Sequence, residues 1–159
     1  MSEHAKHECG ICALIALIAK GENPDFIAEL PNSHVVLGPD QFYRGYCIVL
    51  AKTHAREPFL VPREESIALY EEVLGVAAAI DAVTHPFKMN YACLGNLEPH
   101  VHWHLYPRYA DDELNRGPVW IRPEAQRRVA LEEHDRRALI ASLRAEISRR
   151  IPLARLALD

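Results

Sequence analysis

An α+β domain built on an antiparallel sheet is what this sequence predicts, and three observations predict it. The hydrophobic period switches along the chain between helix-like and strand-like, in the order helix, strands, helix, strands, helix. The strand-like runs are short, rich in valine and isoleucine, and separated by turn-forming residues, as antiparallel pairs require. One run, His100 to Leu105, alternates histidine with apolar side chains so strictly that an extended strand would sort them onto two faces.

Each element has its own signal. "ALIALIAKGENP" reads as a short helix closed by Gly21, which tolerates the left-handed cap conformation, and by Pro24, which cannot extend it. "SHVVLG" and "GYCIVLAK", separated by the turn-prone "GPDQFYRG", read as an antiparallel pair. "PREESIALYEEVLGVAAAIDAVTHP" is a long amphipathic helix with acids in its first turn, Pro86 at its far end, and Ile67, Tyr70, Leu74 and Ala77 as its expected core face. "FKMNYACLG" and "HVHWHLYP" are two further strands, with "NLEP" short enough to make them a hairpin. Residues 108 to 133 look irregular, with Asn115, Gly117, Pro118 and Pro123. From His134 to Arg150 the spacing of Leu139, Leu143 and Ile147 predicts a C-terminal helix whose arginines form a solvated face.

At 159 residues the chain is expected to form a single domain, 1–159, large enough to bury a core without staples. A net charge of -4 argues against a stable nucleic-acid partner, because holding phosphates takes a clustered basic surface. The apolar run Ala13 to Ala19 is far shorter than the roughly 20 residues of a membrane span. No basic region ahead of a cleavage site precedes it, so no membrane association and a cytoplasmic location are expected. Of the four cysteines, Cys47 and Cys93 lie in apolar runs and read as small buried hydrophobes. Cys9-Gly-Ile-Cys12 can be a redox pair or half of a zinc site, and His4 and His7 read as a mobile tail.

If residues 100 to 105 form a strand, His100, His102 and His104 share one face while Val101, Trp103 and Leu105 share the other. Three imidazoles about 6.6 Å apart would each need a partner if buried, which makes a chemical role the better reading. Two roles suit the pattern. The histidines can bind a metal ion, or they can supply a nucleophile and a proton donor, since imidazole is largely neutral yet readily protonated near pH 7. A neutral imidazole can attack phosphorus directly and leave a phosphoramidate that water displaces, which suits phosphoryl or nucleotidyl transfer.

"HVHWHLY" fits the His-φ-His-φ-His-φ-φ signature, and with it the chain resembles the histidine triad (HIT) family of nucleotide hydrolases and transferases. "NYACLGNLEPHVHWHLYPR" looks like its bacterial diadenosine polyphosphate hydrolase-like branch, and the resemblance covers about residues 7 to 110. It implies a HIT-like fold of about five strands, a nucleotide substrate, a homodimer, and no organic cofactor. It further implies that His102 is the nucleophile toward the α-phosphate and His104 its supporting group. Asn96 stands where the family usually has a glutamine that touches the phosphate or the bridging oxygen, and Asn90 falls near the position of a family asparagine, so both are expected among the substrate-binding residues. In the Cys-Cys-His-His branch of the family a structural zinc is held by residues that match Cys9, Cys12, His54 and His100.

The chain also departs from the family pattern. Gly38 stands where many members carry an aspartate for the ribose, with Asp40 two residues away as a substitute. Tyr46 replaces a histidine that approaches the phosphate, and Leu97 replaces a hydroxyl. The expectation is therefore a hydrolase or transferase acting on a diadenosine polyphosphate or nucleoside phosphoramidate, with Asp40 and Tyr46 among the substrate contacts. Its rival is a zinc-containing nucleotide-binding or scaffold protein with weak or no catalysis. Residues 111–159 are expected to add an irregular segment and a helix, with Trp120 either lining the pocket or anchoring the loop.

Overall fold

The computed structural model describes residues 9 to 156; His4 and His7 lie outside the described residues. The elements run α1 (Gly10–Ala19), β1 (Phe26–Glu29), β2 (Ser33–Leu37), β3 (Cys47–Ala51), α2 (Arg63–Thr84), β4 (Lys88–Ala92), β5 (His102–Arg108), a short α3 (Glu124–Arg127) and α4 (Glu133–Arg150). Three-residue 3-10 turns interrupt the chain at Pro58–Leu60 and Val119–Ile121. All strand pairs are antiparallel, in the order β1-β2-β3-β5-β4.

Helix α1 ends as its sequence predicts. The Gly21 N–H donates to Ile18 O (2.9 Å) and the Glu22 N–H to Leu17 O (3.0 Å), a closure that needs the left-handed Gly21 at φ 70°. Strand β1 is an element the sequence analysis misses. It is four residues long, broken by a register shift between Phe26 and Ala28, and buries side chains on both faces, so no alternation marks it.

The two sheet faces are covered differently. On one face Val35, Val49, Leu105 and Met89 meet Leu69, Val73, Val76 and Ile80 of α2 and Leu139, Leu143 and Ile147 of α4. Each such side chain contributes roughly 1.5–3 kcal/mol by leaving water. On the opposite face α1 packs Ile11 and Ile18 onto Phe26, Val36 and Leu50, while Val119 packs onto Tyr43, Tyr46 and Tyr106. His102 and His104 come up between these two clusters.

The expected core face of α2 is rotated from the true one. Ala77 is buried as expected, but Ile67, Tyr70 and Leu74 are exposed, and the helix buries Leu69, Val73, Val76 and Ile80 in their place. Both stripes are apolar at helical spacing, so periodicity alone does not choose between them. A buried carboxylate anchors the chosen face: Glu72 accepts hydrogen bonds from Asn32 N (2.8 Å) in the β1–β2 turn and from Ser33 Oγ (2.5 Å) at the start of β2.

The arginines of α4 are not all a solvated face. Arg144 donates to Ile27 O (3.0 Å) and Phe26 O (2.8 Å), and Arg136 to Pro24 O (2.6 Å), so they satisfy backbone carbonyls along the edge strand β1. Paired backbone bonds between Glu29 and Arg155 finish that edge.

The segment after β5 is irregular, as expected, but firmly held. Arg108, fully buried, donates to Asp112 Oδ2 (3.0 Å), Leu114 O (2.8 Å), Gly117 O (2.7 Å) and Asn90 Oδ1 (3.0 Å). Arg122 donates to the other oxygen of Asp112 (2.7 Å) and lies over the Phe42 ring. Burial alone would raise the Asp112 carboxyl's pKa; the Leu114 N–H and the two guanidinium groups outweigh it and hold the group ionised further into acid. Asp112→Ala leaves Arg108 and Arg122 without the carboxylate they share and is expected to destabilise the fold, read as a lower urea midpoint.

Candidate active site and metal cluster

The histidine run divides into two sites. Strand β5 begins at His102, not at His100, because Pro99 carries no N–H and the backbone turns there through a His100 N–H to Glu98 O bond of 2.7 Å. Residues 93 to 101 therefore form a loop wider than the expected hairpin. The Glu98 carboxylate accepts from the Gly10 N–H (2.8 Å) and so ties this loop to the N-terminus of α1.

His100 faces the cysteines. A carbonyl oxygen only accepts, so the contact of His100 Nε2 with Ala51 O (2.8 Å) assigns the proton to Nε2 and leaves Nδ1 a lone pair. That Nδ1 lies 3.5 Å from both Cys9 Sγ and Cys12 Sγ, and His54 Nδ1 lies 3.2 Å from Cys12 Sγ. The ligating atoms of Cys9, Cys12, His54 and His100 all fall within 4.8 Å of one another. Two thiols and two imidazoles at this separation match tetrahedral zinc in ligand type and number, and the Ala51 carbonyl orients one of the imidazoles from outside. Structural measures thus bring together all four residues named from the sequence.

His102 and His104 form the second site, their rings meeting edge to face with centroids 4.7 Å apart. His102 Nδ1 lies 2.6 Å from His100 O, and the same reasoning places its proton on Nδ1 and leaves the Nε2 lone pair unused. Behind His104, Tyr46 brings its hydroxyl to 2.6 Å from Nδ1. Burial, with His102 adding a smaller effect, pushes the His104 pKa down to about 4, so this imidazole is neutral at physiological pH.

The remaining candidates are placed as follows. Asn90 sits on β4 opposite Tyr106, on the face of His104, with its carbonyl oxygen taken by Arg108, so its amide NH2 is what it can offer a ligand. Asn96 is exposed in the 93–101 loop, beside Leu97, which is 95% exposed. Asp40 is buried and held by Arg127 (2.8 Å). Cys47 is fully buried and its thiol pKa is raised by that burial, while Cys93 is only half-buried.

Trp120 does not act as a buried anchor; it is 59% exposed. With Asn90, Ala92, Tyr106 and Val119 it lines a cleft of about 280 Å³ that adjoins the His104 row, since Ala92 is directly opposite His104. The sequence carries a faint signal for this wall, a tryptophan between Pro118 and Pro123, but nothing in it says which strand the segment returns to.

A five-stranded antiparallel sheet carrying the His102–His104 pair on one face, with a Cys2His2 cluster beside it and two long helices on the other face, defines a class of small α+β domains. The HIT domain model matches residues 20–111, more than half of the chain, and the protein belongs to that family. Solved structures agree. A histidine triad protein of Bradyrhizobium japonicum shares 26% identity, covering 77% of this chain and 91% of its own, with a TM-score of 0.68. One from Marinobacter aquaeolei shares 26% identity over 79% and 91% of the two chains, also at 0.68. A zinc-bound histidine triad family protein of Mycobacterium smegmatis, 24% identical over 91% and 96%, has the same fold at 0.61. The comparison with curated proteins gives no match.

Proposed function

We propose that this HIT protein hydrolyses or transfers a nucleotidyl group, acting on the α-phosphate of a nucleotide such as a diadenosine polyphosphate or a nucleoside phosphoramidate. The observation that carries this reading is the bond of His102 Nδ1 to the His100 carbonyl, which presents a free Nε2 lone pair beside a second, neutral imidazole. His102 attacks phosphorus through Nε2, and the N–P bond forms as the bond to the leaving group breaks. The positive charge that develops on the ring is stabilised by the His100 carbonyl through the Nδ1 proton. Water then attacks phosphorus, the N–P bond breaks with its electron pair returning to Nε2, and the proton lost by the attacking water passes to solvent as the nucleotide product ionises. Asn90, on the same face, supplies an NH2 donor to a phosphoryl oxygen, and Asn96, Asp40 and Tyr46 complete the proposed surroundings of the substrate.

Cys9, Cys12, His54 and His100 are proposed to hold a zinc ion, whose chemistry there is structural because four protein ligands leave no open position. The ion would tie α1 to the start of β5 and thereby fix the carbonyl that orients His102. A homodimer is proposed on the exposed stripe Ile67, Tyr70 and Leu74 of α2, together with Tyr91 on the unpaired edge of β4. Leu74→Glu is expected to shift the sedimentation coefficient from dimer to monomer; a wild-type chain that sediments as a monomer would exclude the assembly.

The rival reading, nucleotide binding with weak or no catalysis, is favoured by one observation: Tyr46 fills the space over Gly38, where a polar side chain could otherwise reach a substrate. Intact-mass spectrometry after a rapid acid-free quench with diadenosine polyphosphate separates the two. An added mass of one AMP on the wild type, absent from His102→Ala, supports nucleotidyl transfer. No adduct and no released AMP sinks it in favour of binding alone.

A further inference from the structure

Tyr46 is built into this site with more precision than a substrate contact needs. Its carbonyl accepts from the Gly38 N–H (2.8 Å) and the Gln41 side chain (2.9 Å), and its N–H donates to Tyr43 O (2.8 Å). The ring stacks on Tyr106 at 4.1 Å between centroids, with 11° between the planes. The ring also lies so close to Gly38 that a Cβ added there would stand 2.2 Å from Cε1, so position 38 admits no side chain. What all this packing aims is a single hydroxyl, at 2.6 Å from His104 Nδ1.

We infer that Tyr46 is a positioning residue that donates its hydroxyl proton to His104 Nδ1 and so fixes His104 as the Nε2–H tautomer, a neutral donor beside the lone pair of His102. The inference rests on the nucleotidyl reading and assigns it a division of labour. His102 has its proton on Nδ1 and an open Nε2; His104 has the reverse. Burial keeps the phenol protonated, which leaves it a donor throughout the working pH range.

A substrate class follows. A neutral Nε2–H can hydrogen-bond to a departing oxygen, but surrendering the proton outright would leave an imidazolate. In the attack step the His102 Nε2–P bond forms, the P–O bond breaks, and its electron pair departs on the leaving phosphate, while the His104 proton stays on nitrogen. The arrangement therefore suits a phosphoanhydride, whose leaving phosphate needs no proton, over a phosphoramidate, whose amine does.

The test is the long-range ¹⁵N–¹H spectrum of the His104 ring in wild type and Tyr46→Phe, a variant that keeps the stacked ring and removes only the hydroxyl. The wild type is expected to show Nε2–H alone and the variant a mixture of tautomers, with kcat on diadenosine tetraphosphate lowered about tenfold and KM within about twofold. Wild-type kcat/KM should favour that anhydride over adenosine phosphoramidate by more than about tenfold. An Nδ1–H tautomer in the wild type, or an unchanged spectrum in the variant, overturns the positioning role. Equal turnover of the two substrates overturns the preference for the anhydride. A protein that turns over neither defeats the nucleotidyl reading, and the spectrum still decides what Tyr46 does.

Discussion

Replacing His102 by alanine is expected to lower turnover of a nucleotidyl substrate by at least about 10⁴-fold, because it deletes the Nε2 lone pair proposed to form the covalent intermediate. Nucleotide affinity should change little, since the groups proposed to hold the phosphate and sugar lie elsewhere. Single-turnover kinetics and equilibrium titration on the same variant give both values. His102 is also buried, and its ring meets His104 edge to face, so the variant's melting temperature belongs in the experiment. A folded His102→Ala protein that retains turnover would remove His102 as nucleophile. His104→Ala, by contrast, should reduce kcat by ~10²–10³ and leave some adduct, because a lost hydrogen-bond donor weakens the transition state without deleting the attacking atom.

The second large effect is on stability. Elemental analysis is expected to find one zinc per chain, and its removal by a chelator should lower the melting temperature by roughly 10 °C or more, with Cys12→Ser behaving the same way. The reason is architectural. Helix α1 covers one end of the site face with a small cluster, Ile11, Ile18, Phe26, Val36 and Leu50, and the Cys9–Cys12 turn at its start is where the proposed ion would join it to His54 and His100. Activity should decay with unfolding and not at the moment of chelation. Instant loss at full folding would move the metal into the chemistry; no bound zinc would leave the cluster a set of sulfur–imidazole contacts.

Much of the fold was legible because the relevant signals are local. The switch in hydrophobic period placed α1, α2, α4 and four of the five strands. Gly21 closed α1 by a backbone conformation that depends on one residue. The alternation at His102 and His104 is likewise local, because side chains of a strand point to opposite faces whatever surrounds it. Elements that depend on a neighbour were less visible. Strand β1 is too short and too evenly buried to show a period, and it exists as an edge that Arg144, Arg136 and Arg155 complete from elsewhere in the chain.

By itself, then, the sequence determined the class of fold and the identity of the paired histidines, which depend on residue type and spacing, and its resemblance to the HIT family named the four residues Cys9, Cys12, His54 and His100 that gather into one cluster. Only the tertiary structure decided which stripe of α2 is buried, because Ile67–Tyr70–Leu74 and Leu69–Val73–Ile80 are both apolar and the choice is made by what the sheet presents. It also decided that His100 leaves the strand for the cysteines, that Asp40 is held by Arg127, and that Tyr46 reaches His104 across 58 residues of sequence. Those are pairings of groups far apart in the chain, and a hydrogen bond or ion pair acts over about 3 Å, a scale at which only the folded backbone says who is near whom.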